Sequence, residues 1–312
     1  MKNTLRTIAY FNFFNWPLRA EEIWKWQFSS DNQSAKQADE KILSLEKVFE
    51  ILKQEEIKTV ISEKDGFYFM RENENILAER LKKYIYAERK YKKIMHLAKF
   101  FSFFPFIKMI SICNDLGYSN APDESDIDLF VVSSRKRIWL TRFIITGFLK
   151  IFKMRPGENS RDAVCPSFFI DEDNINLKKL SLKNEAGATD DPHFIFWLCQ
   201  MSPILEKEKF NKKFNEENKW VNIFLPNASV AKEPPSRRNI SISPIAGFIE
   251  KIFKGFIGDW LETKVKKIQL NMMPENLKQM ANKNTNVVIT DSILKFHTHD
   301  TRENLRNKFK NL

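Results

Sequence analysis

Ser125-Asp126-Ile127-Asp128-Leu129-Phe130-Val131-Val132 decides how this chain is read. An apolar, β-branched run follows two aspartates spaced i, i+2, and the turn-formers Asn120, Pro122 and Asp123 precede it. The pattern predicts a loop feeding a buried strand. Side chains alternate along a strand, so Asp126 and Asp128 share one face while Ile127 and Leu129 share the other. Two carboxylates that close repel, and without a cation one of them must hold a proton. A divalent ion removes the conflict. Mg2+ takes oxygen from one or two carboxylates and completes its shell with water and phosphate oxygens. Asp-x-Asp also occurs at ordinary solvated strand starts, so its neighbours carry the argument.

Pro105 to Val132 reads as a helix end, a short strand over 108–113, a polar loop over 114–124, then the acidic strand. This order resembles the nucleotidyltransferase superfamily, whose catalytic palm joins a strand, a Gly-Ser loop and an acidic second strand. Asn114-Asp115-Leu116-Gly117-Tyr118-Ser119-Asn120-Ala121, then Glu124-Ser125-Asp126-Ile127-Asp128, lines up with that family's pattern. Asn114 and Asp115 stand where the family has Gly and Ser. The resemblance implies an α+β protein with a mixed sheet flanked by helices. It implies metal-assisted in-line transfer of a nucleotidyl group from a nucleoside triphosphate, expected to be ATP, to an acceptor hydroxyl. Asp126 and Asp128 would ligate Mg2+ or Mn2+. A third carboxylate on a later strand is assigned to Asp162. Asn114, Asp115, Gly117, Ser119 and Ser125 would line the nucleotide. An aspartate at 115 repels phosphate unless a metal intervenes, so a catalytically impaired binding or scaffold protein on the same fold is the alternative.

The composition is that of a folded protein: 312 residues, 43% hydrophobic and 29% charged, enough for two or three domains. Glycine is sparse (8) and phenylalanine abundant (28), which favours packed helices, and no P-loop or dinucleotide fingerprint is present. A formal charge of +11 suits a polyanion such as nucleic acid or nucleotide phosphate, and suits an ordinary lysine-rich surface equally. Cys113, Cys165 and Cys199 are odd in number and widely spaced. That argues against a disulfide framework or zinc site and for a reducing cytoplasm. The N-terminus shows no signal peptide. The apolar stretch 138–152 contains Arg142 and Lys150 and is too short to span a bilayer.

Four regions follow from the patterning. Residues 1–75 read as three helices, then strands over 57–62 and 66–70 joined by a turn containing Asp65-Gly66. The segment is similar to a winged helix, which makes a DNA-binding regulator a further alternative. Its third helix mixes Lys41 and Lys47 with Glu40, Glu46 and Glu50, which argues against groove binding. Residues 76–104 read as a basic connecting helix with Leu77, Leu81, Ile85, Ile94 and Leu97 as its buried stripe, and nucleic-acid contact as a further use.

Residues 105–202 form the palm. It holds a helix over 135–152 whose opening cluster Arg135-Lys136-Arg137 is placed to meet a triphosphate, and a strand over 163–170. Pro166 demands that this strand lie at an edge or carry a bulge. A helix over 191–205 would hold His193 as a core or helix-start histidine. Residues 203–312 are helical, with a linker at 226–244. There the basic amphipathic helix 245–270 is expected to pack on the palm rather than lie on an anionic membrane. His297, His299 and Asp300 are expected as surface or loop residues.

Overall fold

The structure is a computed structural model that describes residues 1–29, 43–71, 75–158, 161–230 and 239–312. Glu40, Lys41 and most of the polar segment 29–38 lie outside the described residues, as does the middle of the linker at 226–244. The N-terminal region runs α1 (Lys2–Asn12), β1 (Leu18–Arg19), α2 (Ala20–Lys25), α3 (Leu45–Leu52), α4 (Glu55–Val60), β2 (Ile61–Lys64) and β3 (Phe67–Met70). Asp65 and Gly66 both have positive φ, 54° and 78°, so they make the two-residue hairpin turn whose twist matches the strands it joins. β3 pairs with β2 on one side and β1 on the other. The strand expected over 57–62 begins only at Ile61. Glu55 and Glu56 in a first turn and Lys58 in the last complement a helix dipole, and Ile57 gives α4 its buried anchor.

The long helix α5 (Ile76–Phe101) leads into β4 (Ile107–Ile112), the one-turn α6 (Asn114–Gly117) and β5 (Ile127–Ser133). Then come α7 (Ile138–Ile151), β6 (Val164–Asp171), α8 (Pro192–Gln200), β7 (Ser202–Glu206), α9 (Phe210–Glu217), α10 (Pro226–Val230) and β8 (Ile240–Ser241). The chain ends with α11 (Pro244–Ile252), α12 (Phe256–Asn271), α13 (Glu275–Met280), β9 (Val287–Ile289), β10 (Ile293–Phe296) and α14 (Arg302–Lys310). Seven strands form one mixed sheet in the order β8-β7-β4-β5-β6-β10-β9. β5 and β6 run parallel, joined through α7, while β4 and β5 are antiparallel.

Each face of this sheet carries its own core. Ile127, Leu129 and Val131 of β5 enter a cluster with α5, α7 and α12, while Phe130 and Val132 enter another with α1, α2, α8 and α9. The period-2 alternation of a strand divides them. Burial on both faces explains the unbroken apolar run after Asp128.

Pro166 sits inside the sheet, between β5 and β10, at a register shift opposite Leu129/Phe130. The bulge absorbs the missing N–H, so no edge is needed. The helix expected over 191–205 stops at Gln200, because Ser202–Glu206 pairs with β4 and Pro203 falls at a second bulge. The helix expected over 245–270 is two helices, broken at Gly255 with φ 94°.

The buried stripe of α5 also differs from expectation. Leu81 and Ile85 are exposed; Ala87, Lys90, Tyr91, Ile94, Leu97 and Phe101 face the sheet. The first half meets the N-terminal region through Ile76, Leu77 and Arg80, and the second half covers the seven-stranded sheet. Lys90 is fully buried in that seam, and its ammonium meets Asp162 at 2.8 Å. Breaking one partner of such a pair strands a buried charge. Asp162→Ala should therefore lose about 3–5 kcal/mol in urea denaturation at pH 7. Adding Lys90→Met should return part of it, because the stranded ammonium goes, although the carbonyls of Asp123 and Ser125 lose its hydrogen bonds and Arg89 stays unpaired from Asp162. A double variant less stable than Asp162→Ala would show that the buried ammonium is held by those carbonyls rather than by Asp162.

Candidate functional site

A cavity of about 460 Å³ opens on the sheet face that carries Asp128. Its floor is built by strand alternation: Asp128 of β5, Cys165 and Ser167 of β6, and Lys295 and His297 at the end of β10. Phe11, Phe14 and Trp16 from the N-terminal region and His193, Phe194 and Trp197 of α8 form its apolar walls. Asn114 and Asp115 of α6 stand at one side and residues 298–302 at the other. The volume and the mixture of aromatic wall and few polar groups are those of a small-molecule site.

Asn114 organises the acidic side. It adopts φ 55°, a left-handed conformation that asparagine tolerates better than other side chains, in the position where the resemblance calls for glycine. Its Nδ2 donates to Asp128 Oδ2 at 2.9 Å and its Oδ1 accepts from Trp197 Nε1 at 2.8 Å. That amide donor, with the Cys165 thiol, does not offset the loss of water around Asp128. Burial, with Asp115 and Asp126 adding repulsion, raises the Asp128 pKa to about 6. Asp126, just ahead of β5, is raised by burial, with Lys90 opposing. Asp115 is raised the same way, with Lys83 opposing; its side chain reaches solvent in the cavity, although protein atoms crowd it. Cys165, paired in register with Asp128, is pushed up to about 12 by burial and then by Asp128 and Asp126. Both carboxylates of the Asp-x-Asp motif thus act on one neighbour.

Asp128 and Asp126 are two hard oxygen donors of the kind a divalent cation takes, neither in an ion pair among the described residues, and of the two only Asp128 lines the cavity. Among the described residues no group of three or more His, Cys, Asp and Glu is arranged to hold a metal alone. A Mg2+ held by two carboxylates takes its remaining oxygens from substrate and water.

Asp162 is placed differently. Its two oxygens accept from Arg89 Nε and Nη2, both at 2.8 Å, and from Lys90 Nζ. Burial opposes its ionisation, but the hydrogen bonds from Arg89 and Lys90 outweigh it and bring the pKa down to about 2. Asp162 therefore has its counter-charge already and does not line the cavity. Gly117, Ser119 and Ser125 also lie off it, while Asn114 and Asp115 line it. Gly117 packs on Gln200, where a Cβ would come within 2.2 Å of Oε1. Ser125 Oγ donates to the Pro122 carbonyl.

The cluster Arg135-Lys136-Arg137 follows the far end of β5, roughly 15–20 Å along the strand from Asp128. Arg137 ties α12 through Asp259 at 2.8 Å, and Arg135 pairs with Asp173. Those two arginines serve packing rather than the site.

The wall opposite Asp128 comes from the end of the chain. Arg302 binds Asp191 at 2.9 Å and Asp300 at 2.8 Å, and Lys295 lies 3.3 Å from Asp300. Two cations and two carboxylates balance there. Burial lowers Lys295 to about 8, His193 to about 4 and His297 to about 3, so both histidines are neutral near pH 7. His193 Nδ1 meets Tyr10 Oη at 2.8 Å, and His297 Nε2 meets Ser167 Oγ at 3.3 Å. Of the residues expected at the surface or as loop hydrogen-bond donors, His297 is a loop residue after β10 bonded to Ser167, and Asp300, its side chain buried in ion pairs, is not a surface residue; both line the cavity. The His-Thr-His-Asp spacing was the one signal of this wall; Lys295 and Arg302 gave none.

Asp128 makes the site sensitive to pH. With the folded pKa near 6 and the ordinary value 3.8, the folded state binds more protons between them, so stability falls as pH rises from about 4 to 6. Asp128→Asn removes that penalty. At about 1.4 kcal/mol per pKa unit, the variant should exceed wild type by on the order of 2–3 kcal/mol at pH 7.5 without divalent cations. The gap should close by pH 4, as read by urea denaturation. A wild type more stable than the variant at pH 7.5 would mean that Asp128 has a counter-charge already. Compared with family models, curated proteins and solved structures, the chain matches none.

Proposed function

We propose that the protein is a nucleotidyltransferase of the polymerase-β-like kind, acting at the cavity in front of Asp128. The observation that carries the reading is the uncompensated carboxylate of Asp128, held by Asn114 on the cavity floor with Asp126 two residues before it. The order β4, α6, β5 supports it, since it is the strand, loop and acidic strand of the resemblance.

Asp126 and Asp128 would hold Mg2+ or Mn2+, which when bound neutralises charge developing on the phosphates. The acceptor hydroxyl oxygen bonds to the α-phosphorus of the triphosphate, the bond from that phosphorus to the bridging oxygen breaks, and pyrophosphate leaves. The hydroxyl proton goes to Asp115. Of the three carboxylates in the neighbourhood it is the one that lines the cavity and is not assigned to the cation, and its raised pKa suits a base. It takes the role that Asp162, committed to Arg89 and Lys90, is not free to take. Trp16, Trp197 and Phe14 offer flat apolar surface for the nucleobase.

A second reading keeps the nucleotide and drops the turnover. Asp162's ion pairs and the Asn114-Asp115 pair in place of Gly-Ser favour a binding protein on the same fold. Calorimetry with MgATP tests what the two share: Asp128→Asn should raise the Kd at least about tenfold, the scale of one lost charge-assisted contact. Equal affinity in both forms would remove both readings. α-Labelled ATP incubated with wild-type protein and a cell extract separates them. Label joined to an acceptor, and lost in Asp115→Asn with MgATP affinity kept, establishes transfer through Asp115; MgATP binding without label leaves the binding protein.

A further inference from the structure

The geometry points to a membrane-docking face on α11 and α12, with an anionic lipid surface as its occupant. Ile245, Phe248 and Ile252 form one stripe of α11, and Phe256, Ile257 and Trp260 continue it along α12. All six are more than half exposed, Phe248 at 65% and Phe256 at 85%. The helix period accounts for the stripe. At 3.6 residues per turn, Phe256, Ile257, Trp260, Lys264, Lys267 and Ile268 fall within an arc of about 120°. Gly258, Val265 and Gln269 lie on the opposite side and are buried. The expectation that this segment packs on the palm is therefore met by its inner face alone.

Charge is sorted across the same two helices. Glu250 and Glu262 turn inward, and Asp259, though exposed, is paired. Glu250 accepts from the Phe106 N–H at 2.8 Å and pairs with Lys207, Asp259 pairs with Arg137, and Glu262 accepts from the backbone of Trp139 and Leu140. Lys251, Lys254, Lys264 and Lys267 turn outward, with no carboxylate partner among the described residues. Lys264 lies over the Trp260 ring, 5.7 Å from its centroid. An apolar stripe flanked by unpaired lysines, with an aromatic residue in it, is what an interfacial helix presents to anionic headgroups. The lysine stems lie along apolar surface while their ammonium groups reach outward.

A second copy of this chain is disfavoured by the same sorting. A two-fold contact would set lysine against lysine across the patch, with Glu250 and Glu262 turned inward and Asp259 already paired with Arg137. The patch also extends. The Ser243 N–H donates to the Ser102 carbonyl at 2.9 Å, so the start of α11 lies against the end of α5, where Phe100 and Phe103 are exposed beside Lys99. No helix of the described residues is long and apolar enough to cross a membrane, so contact here is peripheral.

Flotation of the full-length protein with vesicles tests this independently of the nucleotide site. Vesicles of phosphatidylcholine with 30% phosphatidylglycerol should carry the protein to the top of the gradient at low salt, and pure phosphatidylcholine should not. At 0.5 M NaCl, where surface charges are largely screened, the bound fraction should fall. Phe256→Ser with Trp260→Ser should reduce partitioning roughly tenfold or more while leaving the circular dichroism and MgATP affinity of wild type. Lys264→Gln with Lys267→Gln should weaken binding to the anionic vesicles. No flotation with anionic vesicles, equal flotation of the apolar variant, or a dimer in sedimentation that the apolar variant abolishes would each overturn the proposal.

Discussion

A carboxylate crowded by protein has to find a cation, a proton or a donor, because it loses much of its water. The fold imposes that condition on Asp128 of β5 and on Asp162 just before β6 of the same sheet, and it meets the condition in two ways. Asp162 receives Arg89 and Lys90 from α5, and its pKa falls to about 2. Asp128 receives one amide hydrogen from Asn114, and its pKa rises to about 6. One aspartate is structural because its charge is answered inside the fold. The other keeps a charge that the fold leaves for something else to answer.

The surroundings of Asp128 follow from the same sheet. Because β5 alternates between two cores, Asp128 opens on the side covered by the N-terminal region and α8, and the aromatic residues of those elements become the cavity walls. The N-terminal region thus contributes to the site as well as to stability. Tyr10 reaches across 183 positions to His193, stacks on Phe196 and meets Phe309 edge-on, which joins the first helix to α8 and to the last. The closing wall, Lys295 to Arg302, is neutral as a group. The net negative charge of the cavity therefore sits on the Asp115 and Asp128 side, and a cation bringing phosphate would be drawn there.

Much of the seven-stranded sheet's centre was legible from the chain alone. Ile127 to Val132 read as a buried strand because its run is unbroken and β-branched, and Asp65-Gly66 read as a turn because both residues accept positive φ. The failures have local causes. Ile57 to Val60 carries strand-forming residues, but its helix draws on charges at both ends and one buried isoleucine. Leu81 and Ile85 look like core by spacing, yet the face of α5 that carries them is turned to solvent. Lys90 looks like one more surface lysine among many, until the seam around it closes.

The sequence by itself determined the alternation of β5 that divides Asp128, Phe130 and Val132 from Ile127, Leu129 and Val131, the order of helix, strand, loop and acidic strand, and an amphipathic segment near residue 250. These are properties of neighbours along the chain, and strand and helix periods carry them. The tertiary structure decided which aspartates have partners, that the last β-hairpin adds beside β6 to complete the cavity, and that α11 and α12 pair or bury their acids while lysines and aromatics stay exposed. Those outcomes depend on pairings between residues far apart in sequence, and a charge's fate depends on what packs against it rather than on what precedes it.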